Sequence, residues 1–187
     1  MLVNTIFEGA VDQIIDVAAR FTGLLEKAGI PVRVVGGLAT YLHIVQVDPP
    51  SARLTRDVDV AIDRGRLEAI RAIVEPHGFI YRHAAGVDMF LLAENPNARS
   101  GVHVVFVGEK VRPEYLESVP ESTPVRAKKD ILIAPVADLV HMKLTSFRLK
   151  DKVHIQDLDS VGLITPEIEA GLSEPLRQRL AEVRATE

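Results

Sequence analysis

The stretch Asp57-Val58-Asp59-Val60-Ala61-Ile62 alternates with a period of two and constrains the fold more than any other part of the chain. Residues two apart in a strand point to the same side, so the spacing predicts a strand with Asp57 and Asp59 on one face and Val58, Val60 and Ile62 on the other. The apolar face needs a covering layer. The carboxylates, held side by side, repel each other and need compensation, which a divalent cation supplies directly. Mg²⁺ suits one or two carboxylates completed by water and phosphate oxygens. The bland alternative is an exposed strand face that carries aspartates by chance, since so short a pattern recurs.

What precedes this strand narrows the alternatives. Pro31-Val32-Arg33-Val34-Val35 reads as a short strand running into Gly36-Gly37, and Leu38 to Val45 looks helical. A glycine pair between strand and helix lets backbone N–H groups approach a phosphate where a side chain would obstruct them, although such a pair is also an ordinary tight turn. Arg53 and Thr55 stand just ahead of the aspartates, in a loop from Asp48 to Arg56 marked by Pro49-Pro50-Ser51. The turn and the acidic strand in succession are less expected by chance than either alone.

The remaining periodicities set the frame. Val11, Ile14, Ile15, Ala18, Phe21, Leu24 and Leu25 recur at steps of three and four, predicting an amphipathic helix from Phe7 to Ala28 that Gly29 ends. A second helix is expected from Arg64 to Glu75, closed by Pro76-His77-Gly78. Phe79 to Arg82, Val87 to Ala93 and Val102 to Val107 are β-rich runs that suggest an antiparallel meander. Arg112 to Lys129 reads as loop or edge strand because of its prolines. Beyond Ile131-Leu132-Ile133 the pattern is helical over Val136 to Leu149, Val153 to Leu158, Pro166 to Gly171 and Pro175 to Ala185. This order predicts one α/β (α+β) domain over residues 1–187. Its mixed-sheet core lies at 30–110, the N-terminal helix packs on it, and the helical last third at 131–187 does the same.

Composition agrees with a chain of this class. With 187 residues and a hydrophobic fraction of 47%, one core can form without covalent staples. The absence of cysteine excludes disulfides, thiolate metal sites and a cysteine nucleophile. A formal charge of -4 argues against a sequence-independent nucleic-acid coat and leaves a local basic patch open. The longest uncharged run, Val34 to Val47, has 14 residues and is too short and polar to cross a bilayer. No Lys or Arg precedes Arg20, so the charged n-region of a secretory signal is missing and a cytoplasmic protein without a membrane partner is expected.

Lys143 stands out in the last third. Val136, Leu139, Val140, Leu144 and Phe147 form one helical face, and Lys143 lies within it. Burying an ammonium unpaired is costly. It must therefore snorkel to the domain edge or meet a phosphate or carboxylate at a cleft, with Asp157 as an orienting partner. Lys150, Asp151 and Lys152 read as a solvated charge run.

The stretch Val34-Val35-Gly36-Gly37-Leu38-Ala39-Thr40, followed by Arg53-x-Thr55-x-Asp57-Val58-Asp59-Val60, resembles the signature of the nucleotidyltransferase-fold superfamily, a hydrophobic-Gly-Gly turn ahead of an Asp-x-Asp strand. Leu139-Val140-His141-Met142-Lys143-Leu144, Arg148-Leu149-Lys150-Asp151 and Ile155-Gln156-Asp157-Leu158 resemble the helical lysine and aspartate block of minimal nucleotidyltransferases of the AbiEii toxin group. The resemblance implies transfer of a nucleoside monophosphate from an NTP to a hydroxyl of RNA, protein or a small molecule such as an aminoglycoside. It implies Mg²⁺ or Mn²⁺ on Asp57 and Asp59, the triphosphate at Gly36 and Gly37 with Arg53 and Thr55 nearby, and Lys143 and Asp157 as catalytic residues.

The chain departs from that pattern at one strand. Many nucleotidyltransferases supply a third carboxylate from the strand beside Asp-x-Asp, whereas the matching run here is Gly101-Val102-His103-Val104-Val105-Phe106. A neutral imidazole is a poor Mg²⁺ ligand, so either His103 or Asp88 is the candidate third ligand. The missing acid motivates a second expectation, a catalytically weak relative that binds a nucleotide or a cognate partner protein as one component of a toxin-antitoxin pair. A third is an interaction module that uses the helix from Phe7 to Ala28 as its contact surface.

Overall fold

Helix α1 (Leu2–Lys27) realises the N-terminal periodicity, and its inward positions Val11, Ile15, Ala18, Phe21 and Leu25 are buried. The computed structural model describes residues 2–53, 55–97 and 101–186, with side chains from Val11 onward. Gly29 takes a φ of +67° just past the helix, which lets the Ile30 N–H donate back to the Leu25 carbonyl at 2.9 Å. The chain then enters β1 (Arg33–Val35), turns directly into α2 (Gly36–Val47), and after the proline loop forms β2 (Val58–Ile62). Helix α3 (Leu67–Val74) follows, and the hydrophobic runs beyond Gly78 form β3 (Phe79–Ala84), β4 (Val87–Leu92) and β5 (Val102–Phe106).

The seven-stranded sheet is completed by β6 (Val125–Arg126) and β7 (Leu132–Ile133), in the order β3-β4-β5-β2-β1-β7-β6. Strands β3, β4 and β5 form the expected antiparallel meander, and β5 lies parallel beside β2. The sheet therefore continues past residue 110, because β7 pairs parallel with β1 and carries β6 as an edge. One face holds Val58, Val60, Phe79, Phe90, Val102 and Val104. Phe21 of α1 meets it with ring centroids 5.2 Å from both Phe79 and Phe90. Burying side chains of this size contributes about 1.5–3 kcal/mol each, which is what holds α1 against the sheet.

The last third forms α4 (Val136–Ser146), α5 (Leu149–Ser160), α6 (Pro166–Ala170) and α7 (Glu174–Arg184). These helices share a second apolar cluster with α2, built from Ile44, Val140, Leu144, Ile155, Leu158, Leu176 and Leu180. The expected helix from Val136 to Leu149 is shorter than its periodicity. Phe147 adopts a φ of +52° and donates its N–H to the Lys143 carbonyl, and Arg148 caps a new helix whose third residue, Asp151, accepts from the Arg148 N–H. Leu149, the first residue of the new helix, is 81% exposed. No helix among the described residues is long and apolar enough to cross a membrane.

Candidate functional site

The two parts of the sequence signature meet in space. Val35 lies opposite Asp59 in the β1–β2 ladder, so the turn that follows Val35 passes over the acidic face of β2. Gly36 takes a φ of +68°, and a Cβ there would stand 3.1 Å from Asp59 Cγ, 3.2 Å from its Cβ and closer still to Oδ2. Only glycine gives both the backbone angle and the space. Gly37 is constrained by Thr55, whose Oγ1 would lie 2.7 Å from an added Cβ. Thr55 Oγ1 also accepts the Asp57 N–H at 3.4 Å, so one hydroxyl ties the turn to the start of the acidic strand. The N-terminus of α2 has no side-chain cap, so no side chain takes up its first N–H groups.

His103 and Asp88 part company here. His103 is the cross-strand partner of Asp59, with its Nδ1 3.6 Å from Asp59 Oδ1. Asp88 pairs with Val104 and therefore belongs to the opposite face of the sheet. There it accepts from the Tyr81 hydroxyl and lies 2.8 Å from His83 Nδ1. Burial pushes the Asp88 carboxyl up, and the bonds from Tyr81 and His83 outweigh this and hold it below the usual range. Among the described residues, no group of three or more His, Cys, Asp or Glu side chains is arranged to hold a metal ion. Asp59 remains as a hard oxygen donor beside the glycine cradle, while Asp57, expected within the strand, lies just ahead of β2 with its N–H held by Thr55. Such a pair fits a cation that keeps water and substrate oxygens, and does not fit a closed four-ligand structural site.

Lys143 does not snorkel. It is 4% exposed on α4, and Asp59 is among the charges that act on it. Burial lowers its pKa from 10.5 to about 8, against the opposing influence of Asp151 and Asp59. Its Nζ lies 2.7 Å from His154 Nδ1 and 3.9 Å from Asp151 Oδ1. The expected orienting partner was Asp157, and the structure differs: Asp157 accepts the Arg53 Nε–H at 2.9 and 2.8 Å on its two oxygens. Arg53 is thus held by an ion pair, its side chain 64% exposed.

Asp151 also corrects the reading of Lys150 to Lys152 as a solvated run. It is 2% exposed and accepts from Ser146 Oγ, the Arg148 N–H and the Arg148 guanidinium. Burial raises its pKa, and the bonds from Arg148 and Ser146 reverse the shift and hold the carboxyl down. His154 is the residue that sequence reasoning missed. Burial lowers its pKa to about 4, with the Lys143 charge adding to the effect, so it is neutral near pH 7. A signal was present, because Asp151, His154, Ile155 and Leu158 follow one another at helical steps of three and four.

A cleft of about 840 Å³ is lined by Gly36, Asp59, His103, Tyr115, Lys143, Arg148 and Asp151, among others. Its far wall is the segment after β5, closed by the Gly108 N–H to the Val119 carbonyl and the Val119 N–H to the Glu109 carbonyl, both 2.9 Å. Buried Arg33 anchors that wall by donating to the Pro120 carbonyl and by lying 3.7 Å from Asp138 on α4.

No protein-family model matches the chain, and no curated protein matches it significantly. Solved structures do. One is an antigenic nucleotidyltransferase-like protein from Paracoccidioides brasiliensis, with a TM-score of 0.61 and 19% identity over 95% of this chain and 89% of that one. Another is ANT(2'')-Ia in complex with adenylyl-2''-tobramycin, with a TM-score of 0.57 and 12% identity over 94% of this chain and 98% of that one. The solution structure of the same antibiotic-resistance factor gives a TM-score of 0.51 at 11% identity, covering 95% of this chain and 85% of that one. The mixed sheet with its flanking helices is a nucleotidyltransferase-like fold.

Proposed function

We propose that the chain is a nucleotidyltransferase that moves a nucleoside monophosphate from an NTP to an acceptor hydroxyl. The observation that carries this reading is the interlock of turn and acidic strand, in which the Asp59 carboxylate fills the space a side chain at Gly36 would need. Asp57 and Asp59 would hold Mg²⁺ or Mn²⁺. When bound, that cation offsets charge on the attacking and leaving oxygens of an in-line displacement. The free N–H groups at the start of α2 seat the triphosphate, Thr55 keeps the turn in register with Asp57, and the Lys143 ammonium neutralises phosphate charge inside the cleft. The acceptor oxygen bonds to the α-phosphorus and gives up its proton to water as the bond to pyrophosphate breaks, and pyrophosphate leaves.

The charge balance of the cleft bears on the acceptor. Glu109 is held by Arg64 at 2.6 and 2.7 Å, Glu117 lies 3.1 Å from His141, and Asp151 is engaged by Arg148. Among the described residues lining the cleft, Asp59 is the carboxylate beside the glycine turn, and the proposed cation needs it. An acceptor without clustered ammonium groups, such as an RNA or protein hydroxyl, suits this cleft better than an aminoglycoside. His103 in place of an acid favours a second reading, a weakly catalytic member of the fold that binds a nucleotide or a cognate partner protein in a toxin-antitoxin pair, as the AbiEii resemblance implies.

Calorimetry tests the nucleotide site. ATP, GTP, CTP or UTP with Mg²⁺ is expected to bind wild type, and Asp57→Asn and Asp59→Asn are expected to weaken binding while leaving the thermal transition intact. Equal affinity in wild type and both variants would remove the site.

A further inference from the structure

We propose that His154 is a positioning residue for Lys143: its Nδ1 accepts one ammonium proton and thereby aims the other two at the phosphates seated by the Gly36-Gly37 turn. The inference rests on the nucleotide site proposed above and goes beyond it, because it assigns the hydrogen bond that gives the lysine its direction.

The geometry distinguishes His154 from the nearby carboxylates. Asp151 Oδ1 is 3.9 Å from Lys143 Nζ, beyond hydrogen-bonding distance, and the carboxylate is already occupied by Ser146 and Arg148. Asp157 is taken by Arg53. Among the described residues, the Lys143 ammonium has a hydrogen bond only to His154, at 2.7 Å. An ammonium has three donors and no acceptor, so Nδ1 must accept, and the ring proton then sits on Nε2. The same ring reaches the turn, since its Cε1 would stand 3.7 Å from a Cβ on Gly37. His154 thus bonds the lysine and stands next to the loop that seats the phosphates, so its rotamer relates the two.

The surroundings keep the imidazole in the accepting form. Lys143, Asp151, Asp157 and Lys150 act on His154, while Asp151, Asp59, Arg148 and Lys150 act on Lys143. Arg179 of α7, which packs on α4, spends its guanidinium on the Leu144 and Thr145 carbonyls, and His43 of α2 is engaged by the Ala134 carbonyl at 2.8 Å. Burial holds His154 down to about 4 and Lys143 to about 8, so between those values the ring is neutral and the amine charged. That is the protonation pair the hydrogen bond requires.

His154→Leu removes the acceptor, and His154→Gln retains a side-chain carbonyl that can accept. Two measurements read the result in full-length protein whose thermal transition shows it to be folded. The first is an NMR titration of ¹³Cε-labelled lysine, which needs no nucleotide. The Lys143 midpoint is expected near 8 in wild type, lower in His154→Leu because the buried ammonium has lost its acceptor, and back towards wild type in His154→Gln. The second is Mg²⁺-ATP affinity against pH. His154→Leu is expected to weaken binding about tenfold at pH 7, the scale of one charge-assisted hydrogen bond, and to lose affinity at a lower pH than wild type, with His154→Gln restoring most of both. An unchanged Lys143 midpoint in His154→Leu, or a His154→Gln protein that behaves like His154→Leu, would overturn the assignment. Wild type that fails to bind ATP would overturn the nucleotide site instead, and the titration would still decide whether His154 holds Lys143.

Discussion

Replacing Gly36 with alanine probes the contact on which the site is built. The φ of +68° costs an L-residue about 1–2 kcal/mol. The added Cβ, at 3.1 Å from Asp59 Cγ, also forces that side chain or the β1–β2 register to shift, and such overpacking costs about 1–3 kcal/mol. The sum, about 3 kcal/mol, corresponds to a fall of about 1.5 M in the urea midpoint at a slope of about 2 kcal/mol per M. Nucleotide affinity should fall as well, because the carboxylate leaves its place. Urea denaturation of Gly36→Ala, Asp59→Ala and the double variant separates the two costs. With the carboxylate removed, the Gly36→Ala penalty should shrink towards the backbone strain of about 1–2 kcal/mol. A Gly36→Ala protein with the wild-type midpoint and wild-type affinity would refute the reasoning, and an equal penalty with and without Asp59 would show that the carboxylate is not what excludes a side chain.

Lys143→Met should stabilise the protein near neutral pH. Between about 8 and 10.5 the unfolded chain binds a proton that folded Lys143 does not, so this group makes stability rise with pH across that window; below it the cost is constant, about 3 kcal/mol. The variant leaves Asp151 engaged by Arg148 and Ser146, so urea denaturation at pH 7 should show a gain and the rise above pH 8 should disappear, whereas an unchanged pH slope would assign it to another group. His103→Asp adds a carboxylate opposite Asp59 and should strengthen Mg²⁺ or Mn²⁺ binding by calorimetry; no change in affinity would mean that this strand position does not face the cation.

The β2 alternation, the glycine turn and the meander were legible because each is a local pattern whose period is fixed by backbone geometry. The position of His103 beside Asp59 was expected from the nucleotidyltransferase resemblance, and the parallel β2–β5 pairing places it there. Asp88 was not placeable, since its side of the sheet depends on the β4–β5 register, which pairs Asp88 with Val104. The cluster around Lys143 was legible only in part. The left-handed Phe147 ends α4 early, and α5 restarts at Leu149 with Asp151 and Asp157 buried. A run of Lys150, Asp151 and Lys152 looks solvated from composition alone, whereas its carboxylate is 2% exposed and held by Ser146 and Arg148. Asp157 and Arg53 were each singled out without reference to the other, because a pairing across 104 residues leaves no local trace.

The most direct test of nucleotidyl transfer uses NTPs labelled at the α- or the γ-phosphate, incubated with the protein, Mg²⁺ or Mn²⁺, and total cell RNA or protein. The account predicts that α-label enters the acceptor, that γ-label leaves as pyrophosphate, and that Asp59→Asn abolishes both while remaining folded. Label passing to the acceptor from the γ-phosphate, or transfer that persists undiminished in Asp59→Asn, would contradict it.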